Sequence, residues 1–256
     1  MPRPLTPVPP TPAGLAPHAP LPEYYRGEDD HQRFLRDIFD GTAPDYDRIE
    51  SILALGSGRR YRRLALQRGG LREGAQVLDV GIGTGLVARE ALRLIGASGS
   101  LVGIDPSPGM MAQVHLPGVS LLQGRAEALP REAASADFLS MGYALRHISD
   151  VDAALAEFLR VLRPGGRLLI LEISKPASAW GTSILKAYMR VLVPVIARCV
   201  SRHSDTSRLW RYYWDTIEAC IAPPEVMAAL QRAGFADVQR HVELGIFSEY
   251  TARKPD

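Results

Sequence analysis

Short apolar runs alternate with amphipathic stretches of helix length along the middle of the chain. Apolar residues recur at helical spacing in 86–95 and 152–162, and glycine or proline clusters separate these stretches from the apolar runs. Such alternation predicts a mostly parallel sheet with helices on both faces. The predicted strands of this core, which spans 75–173, lie near 76–80, 100–104, 119–122, 136–141 and 167–173.

Further elements precede and follow the core. Residues 31–39 and 46–55 predict two helices, which we expect to act as a lid within the segment 30–70. Residues 174–222 are too many for a simple connection, so they are expected to build a helical cap. The remaining predicted elements, in the segment 223–252, are a helix from Pro223 to Gly234 and two antiparallel strands at 237–242 and 245–252.

Residues 184–200 of the cap carry one broad apolar face that Pro194 interrupts. A buried cap helix is the first interpretation, because helices that lie on a membrane surface carry a strongly charged opposite face. A membrane-surface helix is the alternative.

The first 22 residues contain nine prolines and no apolar segment typical of a secretory signal. Proline lacks a backbone N–H and restricts the chain, so this segment predicts neither a regular helix nor a central strand. We expect a disordered or polyproline-like tail over 1–22 and a single domain over 23–256. No run of 18 uncharged apolar residues occurs, so no transmembrane helix is predicted.

The most informative local pattern is the apolar strand 77–80 followed by glycines at 81, 83 and 85. Such glycines let the backbone pass close to a ligand, and the next helix adds positive partial charge; simple packing of the helix on the strand is the alternative. A dinucleotide fingerprint requires a small residue at 86, where this chain has leucine, so nicotinamide cofactors are disfavoured. Asp105 ends the next strand, where a carboxylate can accept hydrogen bonds from both ribose hydroxyls. The pattern therefore favours an adenosine ligand without phosphates.

Composition excludes several classes of protein. The net charge of +2 and the pI near 8.6 give no electrostatic argument for nucleic acid, and no nucleic-acid-binding motif is present. Cys199 and Cys220 provide neither a disulfide framework nor metal-ligand spacing, so free thiols and no metal site are expected. This cysteine usage fits a reducing cytoplasm.

Further motifs accompany the glycine turn in a fixed order. They are Phe39-Asp40, Tyr46-Asp47, residues 77–85, residues 103–107 with Met110-Met111, residues 126–130, Arg146 after Gly142, residues 160–166, residues 174–176 and residues 215–217. On these motifs, residues 34–252 resemble the class I S-adenosylmethionine-dependent methyltransferases, and most of all the ubiquinone/menaquinone biosynthesis C-methyltransferases. The resemblance implies a Rossmann-like fold with a mostly parallel seven-stranded sheet, and S-adenosyl-L-methionine as cofactor. It also implies an aromatic or quinone-like small-molecule acceptor, methylated on carbon rather than on oxygen or nitrogen.

The resemblance also implies which residues bind the cofactor. Among the positions that depart from the family pattern, Arg125 follows Gly124 where an acidic residue usually meets the adenine amino group, so backbone groups and apolar packing are expected to hold the adenine. The expected cofactor-binding residues are Asp79, Gly81, Gly83, Gly85, Asp105, Pro106, Met110, Arg125, Ala126 and Gly142.

Three residues are candidates for the chemistry. His147 titrates near neutrality, so we expect it to accept the acceptor's proton, with a structural role as the alternative. Arg146 matches the family's pocket arginine and has no lone pair to accept a proton, so it is expected to stabilise a phenolate or orient the acceptor. Its alternative is an ion pair with Asp150 or Asp152. Tyr46, together with Asp47, is expected to close over the sulfonium or donate to the acceptor, with helix packing as the alternative.

Aromatic side chains cluster in the cap and next to the fourth strand. We expect them to wall the acceptor site, while ordinary cap core is the alternative. The set consists of Tyr143, Trp210, Tyr212, Tyr213 and Trp214.

Several functions remain open at this point. The alternatives to carbon methylation are an O- or N-methyltransferase, a phospholipid N-methyltransferase and an accessory protein that keeps the fold but transfers nothing. Peripheral membrane contact fits a prenylated acceptor, and a homodimer is a further option.

Overall fold

The computed structural model describes residues 14–53, 56–200 and 206–256. The helices are α1 (Glu28–Leu53), α2 (Gly58–Arg68), α3 (Leu86–Ile95), α4 (Pro108–Met111), α5 (Val151–Val161), α6 (Ala179–Ala187), α7 (Val193–Val200), α8 (Thr206–Ala219) and α9 (Pro223–Arg232). The strands are β1 (Gln76–Val80), β2 (Ser100–Asp105), β3 (Val119–Gln123), β4 (Ala136–Gly142), β5 (Leu162–Ile173), β6 (Ala236–Glu243) and β7 (Phe247–Arg253). A 3₁₀ turn spans Leu145–His147, and a π-helical turn at Tyr188–Leu192 joins α6 to α7.

The strands form one seven-stranded sheet in the order β3-β2-β1-β4-β5-β7-β6. The pairs among β1 to β5 are parallel, and Val77 of β1 lies between Leu101 of β2 and Phe138 of β4. β7 runs antiparallel between β5 and β6. The predicted mostly parallel α/β sheet is confirmed. The strand order reverses between β1 and β4, so a crevice opens beyond the carboxyl ends of β1, β2 and β4.

Helices bury apolar side chains on both faces of the sheet. On one face, Leu155 and Phe158 of α5 and Leu230 of α9 are fully buried in one cluster with sheet residues. On the other face, Leu66 of α2 and Ala91 of α3 are equally buried. Full burial of a leucine or phenylalanine side chain contributes about 1.5–3 kcal/mol, so these positions determine which side of each helix faces the sheet.

A third apolar cluster joins α1 to the cap. It contains Ile38 and Ile49 from α1, Met189 from the π-helical turn, Val193 from α7 and Trp214 from α8. Because α1 also contacts the short helix α4 at the sheet edge, it lies between the cap and the crevice.

The two helices predicted over 31–39 and 46–55 form one continuous helix, α1. Pro44 lies inside it, where a missing N–H costs about 3 kcal/mol in an isolated helix. Ile38, Ala43 and Ile49 are nevertheless buried on either side of the proline. Packing against the cap therefore outweighs the local cost. The prediction was wrong because it weighed proline without this contact.

Residues 14–22 do not form a free tail, in contrast to the expectation for 1–22; residues 1–13 lie outside the described chain. The carbonyl of Leu15 accepts from the N–H of Val151, and that of Pro17 accepts from Ile221, both at 2.8 Å. His18 is buried. Proline residues have no N–H to donate, but the segment keeps its carbonyl oxygens as acceptors. Here the carbonyl of Leu15 accepts from an amide in the first turn of α5 that has no partner within the helix.

Candidate active site

A cavity of about 410 Å³ fills the crevice beyond β1, β2 and β4. Its wall combines residues of the glycine turn with side chains of α1, α2, α8 and the segment after β4. A volume of this size lies within the range of small-molecule sites. The position at the switch point of the sheet is where α/β proteins bind ligands.

The glycine turn brings backbone directly to the cavity. Gly81, Gly83 and Gly85 have φ angles of 69°, 56° and 86°, a region that residues with side chains rarely adopt. A Cβ on Gly81 would lie 2.7 Å from the Cβ of Ala144, so the turn passes close to the next loop. A Cβ on Gly83 would meet no protein atom within 4 Å, so glycine leaves space open there.

Asp105 faces this turn from the end of β2. One carboxylate oxygen accepts from the N–H of Gly83 at 2.8 Å and the other from Ser107 at 2.9 Å. Burial raises the pKa of Asp105 to about 6. Each oxygen retains a lone pair, so two adjacent hydroxyl donors fit this carboxylate well. The open glycine and the buried acceptor together match the ribose of an adenosine ligand.

Asp79 lies behind the turn and does not line the cavity. Ser140 donates to its Oδ1 at 2.6 Å, and burial raises the pKa of Asp79 to about 7. Its expected contact with the cofactor stays a prediction, and its Oδ2 has no hydrogen-bond partner among the described residues. As a buried strand residue, Asp79 points into the packing of the sheet. The apolar pattern of β1 does not show which of its side chains face that packing and which face the cavity.

Gly85, where a Cβ would lie 3.0 Å from Leu116, does not line the cavity. Five further expected cofactor residues do. They are Pro106, Met110, Arg125, Ala126 and Gly142. Arg125 donates to Ser149 Oγ at 2.9 Å and lies 3.4 Å from the Glu127 carboxylate. Its charge is therefore held by protein groups, which leaves backbone and apolar groups to contact a base.

Three carboxylates of α1 fasten this helix over the cavity. Glu28 accepts from Ser149 Oγ, and Asp40 accepts from Ser107 Oγ and from the N–H of Gly109. Asp47 accepts from Thr84 Oγ1 at 2.5 Å. Asp40 was named only as a motif residue, whereas Asp47 was expected, with Tyr46, to close over the sulfonium or donate to the acceptor. No local pattern in the sequence identifies the partners of either residue.

A second group of lining side chains is aromatic. Tyr46 of α1 and Tyr213 of α8 place their hydroxyls 2.7 Å apart, and Tyr143 follows β4 with a φ of 61°. Phe39 also lines this part of the wall. A left-handed tyrosine is strained, and such strain is common at functional sites. The expected positions of Tyr46, Tyr143 and Tyr213 at the site are thus met by the geometry.

Arg62 is a lining residue that sequence reasoning missed. It is 4% exposed and comes from α2, whose sequence contains five arginines without a feature that singles one out. Only the packing of α2 against α3 turns this arginine inward.

His147 borders the cavity from the 3₁₀ turn after β4. Its Nδ1 lies 3.3 Å from the Tyr212 hydroxyl, and its Nε2 has no hydrogen-bond partner among the described residues. Burial, helped by the nearby Arg146 charge, holds the pKa of His147 well below 6.5. The imidazole is therefore neutral at pH 7 and has a ring nitrogen without a protein partner.

Arg146 points away from the cavity into the core, in contrast to its expected role in binding the acceptor. It is fully buried and pairs with Glu172, which corrects the expected alternative of Asp150 or Asp152 as well. Its guanidinium carbon lies 4.5 Å from the centre of the Tyr213 ring, and it donates to the carbonyl of Tyr143 at 3.0 Å. Arg146 thus contacts two lining tyrosines and does not itself line the cavity.

Three of the expected wall aromatics belong to the cap core. Trp210 packs parallel to Tyr46 at 6.4 Å, Tyr212 stacks on His147 at 5.5 Å, and Trp214 donates to Glu218 at 3.1 Å. None of these three lines the cavity. On one helix only part of an aromatic run can face one side, and Tyr213 takes that side.

Among the described residues, no cluster of three or more histidine, cysteine or acidic side chains is arranged to hold a metal ion. Within the same residues, no helix has the length and apolar character needed to cross a bilayer. Cys220 is a free, partly buried thiol.

Solved structures share this fold. A S-adenosylmethionine-dependent methyltransferase from Aquifex aeolicus matches 75% of this chain and 89% of its own with a TM-score of 0.56 at 22% identity. A possible histamine N-methyltransferase from Thermotoga maritima matches 86% and 99% with a TM-score of 0.58, also at 22% identity. The fold, the glycine turn and Asp105 define a class I S-adenosylmethionine-dependent methyltransferase, and S-adenosyl-L-methionine is its cofactor.

Within that class, the chain belongs to the ubiE/COQ5 methyltransferase family, whose family model matches residues 27–254. It is 33% identical over 206 residues to the ubiquinone/menaquinone biosynthesis C-methyltransferase UbiE of Hahella chejuensis, covering 77% of this chain and 81% of the relative. It is also 33% identical over 213 residues to a 2-phytyl-1,4-naphtoquinone methyltransferase of Thermosynechococcus vestitus, covering 81% and 93%.

Proposed function

We propose that this enzyme methylates a ring carbon of a quinol or phenol. The observation that carries the proposal is the group of Tyr46, Tyr143 and Tyr213 around the cavity, next to the glycine turn. Aromatic walls with hydroxyl groups suit a flat ring that bears oxygen. The names of the two relatives, both methyltransferases of quinone compounds, support the same acceptor class.

The protein's own contribution is mainly alignment and exclusion of water. When bound, S-adenosyl-L-methionine supplies an electrophilic methyl group. Helix α1, fastened through Glu28, Asp40 and Asp47, covers the cavity, and the tyrosine rings fix the plane of the acceptor.

We assign proton acceptance to His147. Carbon becomes nucleophilic when the neighbouring ring hydroxyl loses its proton, so a neutral base must lie at the cavity. The Nε2 atom of His147 fits this role because it has no protein partner among the described residues and the ring is uncharged at neutral pH.

The position of the transferred methyl group tests the proposal. The enzyme is supplied with cofactor carrying a ¹³C-labelled methyl group and with demethylated quinols, and the product is examined by NMR. We expect the label on a ring carbon. A label on oxygen, on nitrogen or on a phospholipid headgroup would overturn carbon methylation and favour one of the alternative transferases.

We further propose that the cap touches a membrane surface. Five large apolar side chains project from α6, the π-helical turn and α7 at helical spacing, which makes them one continuous stripe. The stripe consists of Trp180, Ile184, Val191, Leu192 and Val195, which are 48–77% exposed. The expected buried cap helix therefore buries one side only, at Leu185, Met189, Val193 and Pro194.

Charge favours an anionic bilayer as the partner of this stripe. Residues 173–204 contain five lysines and arginines and no acidic residue. Lys186 and Arg190 reach back to Glu218 and Asp215, while Lys175 bonds only to a backbone carbonyl. An apolar stripe with cationic flanks binds the interface of anionic lipids. We place the enzyme in the cytoplasm, at the membrane that holds a prenylated acceptor.

Cosedimentation with vesicles tests this contact. The full chain is mixed with phosphatidylcholine vesicles, with and without phosphatidylglycerol, and compared with Trp180→Ser/Val191→Ser. Leu244→Ser is the matched control, because Leu244 is 79% exposed at the turn between β6 and β7. We expect salt-sensitive binding to the anionic vesicles that the stripe variant loses and the control keeps. Equal binding by all three proteins, or no binding, contradicts the proposal. If the wild type is a dimer and the stripe variant is a monomer, the stripe binds a second copy of this chain instead of a membrane.

A further inference from the structure

The cavity contains one buried cation that faces it directly. Arg62 is 4% exposed, lines the cavity and projects from α2. Its guanidinium carbon lies 6.0 Å from the centre of the Tyr143 ring. Arg62 therefore belongs to the aromatic part of the wall, where we place the acceptor.

The hydrogen bonds of Arg62 are incomplete. Its Nη2 donates to Glu50 at 2.6 Å, whereas its buried Nε has no partner among the described residues. An unpaired buried N–H costs about 1–3 kcal/mol, and a ligand atom that accepts from it would remove that cost. Glu50 is 21% exposed and Arg62 is 5% exposed in their side chains, so the cation is the more buried member of the pair.

The other cations near the cavity do not offer this arrangement. Arg36 is exposed on α1. Arg125 is bonded to Ser149 and adjoins Glu127. Arg146 also has buried donors without a partner among the described residues, at Nε and Nη2, but it pairs with Glu172 and does not line the cavity. Among the described residues that line the cavity, Arg62 alone combines burial, a positive charge and a free donor.

We propose that Arg62 donates from Nε to the ring oxygen of the acceptor and stabilises it as an oxyanion during methyl transfer. The inference rests on the proposed function. The acceptor hydroxyl gives its proton to the base, and the oxyanion pushes an electron pair through the ring to its ortho carbon. That carbon forms the new bond to the methyl group while the carbon–sulfur bond breaks and its electron pair stays on sulfur. The carbon then passes its own proton to water, which restores the aromatic ring as a phenolate, and the phenolate takes its hydroxyl proton back from the base.

This assignment replaces the role that the sequence gave to Arg146. A guanidinium placed at the developing charge acts as the donor of an oxyanion site, and removal of one such donor costs about 10²–10³ in rate. Arg62 would therefore be a catalytic residue, and Arg146 a positioning residue for Tyr143 and Tyr213.

The test uses Arg62→Gln, Arg62→Lys and the matched control Arg60→Gln, since Arg60 is exposed on the same helix. 4-Nitrophenol serves as a probe, because its absorbance reports whether the bound molecule is phenol or phenolate. We expect the wild type to lower the pKa of the bound probe by about one unit, as a neighbouring cation does. Arg62→Gln should abolish that shift, Arg62→Lys should keep part of it, and Arg60→Gln should keep all of it.

Turnover provides a second measurement that does not depend on the probe. We expect Arg62→Gln to lower kcat with a quinol about 100-fold while the calorimetric affinity for S-adenosylmethionine is unchanged. Failure of the wild type to bind the probe as phenolate, or an unaltered shift in Arg62→Gln, overturns the inference. If the wild type turns over no quinol or phenol, the proposed function itself is rejected. The probe titration and the turnover assay therefore distinguish failure of the inference from failure of the proposed function.

Discussion

At the scale of single residues, two buried carboxyl groups at the ends of adjacent strands have different tasks. Asp105 faces the cavity and accepts from two backbone amides, whereas Asp79 accepts from Ser140 inside the sheet. Burial raises the pKa of both groups, to about 6 and about 7. Of these two groups, only Asp105 has a vacant lone pair on the ligand side. Hydrogen bonds to a ribose can therefore offset the desolvation cost of Asp105 but not that of Asp79.

Asp105→Asn tests this difference. The amide replaces one acceptor oxygen by a donor, so we expect the affinity for S-adenosylmethionine to fall at least tenfold, about 1.4 kcal/mol. Isothermal titration calorimetry measures the change. Asp237→Asn is the control, because Asp237 lies on β6 at the far edge of the sheet. Equal affinities of Asp105→Asn and the wild type would remove Asp105 from the site.

His147→Gln tests the buried neutral imidazole. The pKa of His147 is held well below 6.5 in the folded protein. Its side chain therefore takes up a proton near pH 6.5 in the unfolded chain but stays neutral in the folded protein. This stabilisation is complete above pH 6.5 and is lost as the pH falls toward the folded pKa. Between pH 7.5 and 5.5 the variant should lose about 1 kcal/mol less than the wild type, some 2–4 °C in Tm.

Thermal unfolding at the two pH values measures that difference. His241→Gln is the control, because His241 is half exposed on β6. Identical pH dependence in His147→Gln and the wild type would show that the folded imidazole titrates normally. If His147 is also the base, the same variant slows turnover while its affinity for S-adenosylmethionine stays at the wild-type value.

The residues that could be predicted at this scale are those with local geometric requirements. Gly81, Gly83 and Asp105 follow from a strand, a turn and a second strand, and all three line the cavity. Arg62 and Arg146 could not be assigned, because five arginines on α2 look alike in sequence and burial alone decides which faces inward. Arg146 was assigned to the acceptor by resemblance, and its pairing with Glu172 on β5 is visible only in three dimensions.

At the scale of elements, α1 is the part of the fold that closes the cavity. It crosses from Glu28, which meets Ser149, to Asp47, which meets Thr84 at the glycine turn. Its other side packs against the cap through Ile38 and Ile49. The helix therefore connects the cofactor turn to the surface that we propose for the membrane.

Asp40→Ala tests the fastening of α1. Asp40 accepts from Ser107 and from Gly109, on the segment that follows Asp105. Loss of a charge-assisted contact costs about 1.5–3 kcal/mol, so we expect a roughly tenfold higher KM for S-adenosylmethionine and faster release of S-adenosylhomocysteine. Steady-state and stopped-flow kinetics measure both. Asp37→Ala, an exposed position on the same helix, should match the wild type; a wild-type KM in Asp40→Ala would contradict the role.

Truncation tests the segment 14–22. Removal of residues 1–13 keeps each contact described for this segment, so stability and activity should stay unchanged. Removal of residues 1–22 deletes the acceptors for Val151 and Ile221 and the buried His18. We expect a loss of about 2 kcal/mol, since each stranded buried amide costs about 1–3 kcal/mol. Denaturant unfolding measures it. Equal midpoints for the two truncations would restore the free tail predicted from the sequence.

Element predictions succeeded where periodicity and local stop signals agree. The alternation over 75–173 reproduces β1 to β4, β5 begins at Leu162 and so earlier than the predicted 167–173, and Pro223 begins α9 as expected. They failed where tertiary contacts dominate: α1 continues through Pro44, and the cap helix exposes a stripe that its apolar composition suggested was buried. Hydrophobicity alone does not separate a side chain that faces the core from one that faces lipid.

At the scale of the whole molecule, the protein is a methyltransferase whose sheet, lid and cap enclose one site. The sheet supplies the cofactor turn, α1 covers the cavity, and α8 contributes Tyr213 to its wall. The exposed stripe lies on the outer side of the same cap. This arrangement would bring a membrane-held acceptor close to the cavity without moving the cofactor.

Titration calorimetry with S-adenosylmethionine, followed on the same sample by mass-spectrometric detection of S-adenosylhomocysteine, tests the central claim most directly. The acceptors are demethylated quinols, simple phenols and phospholipids. We expect binding, with turnover confined to the quinols and phenols. Binding without turnover of any quinol or phenol would contradict the proposed acceptor, and no binding at all would contradict the assignment of the cofactor site.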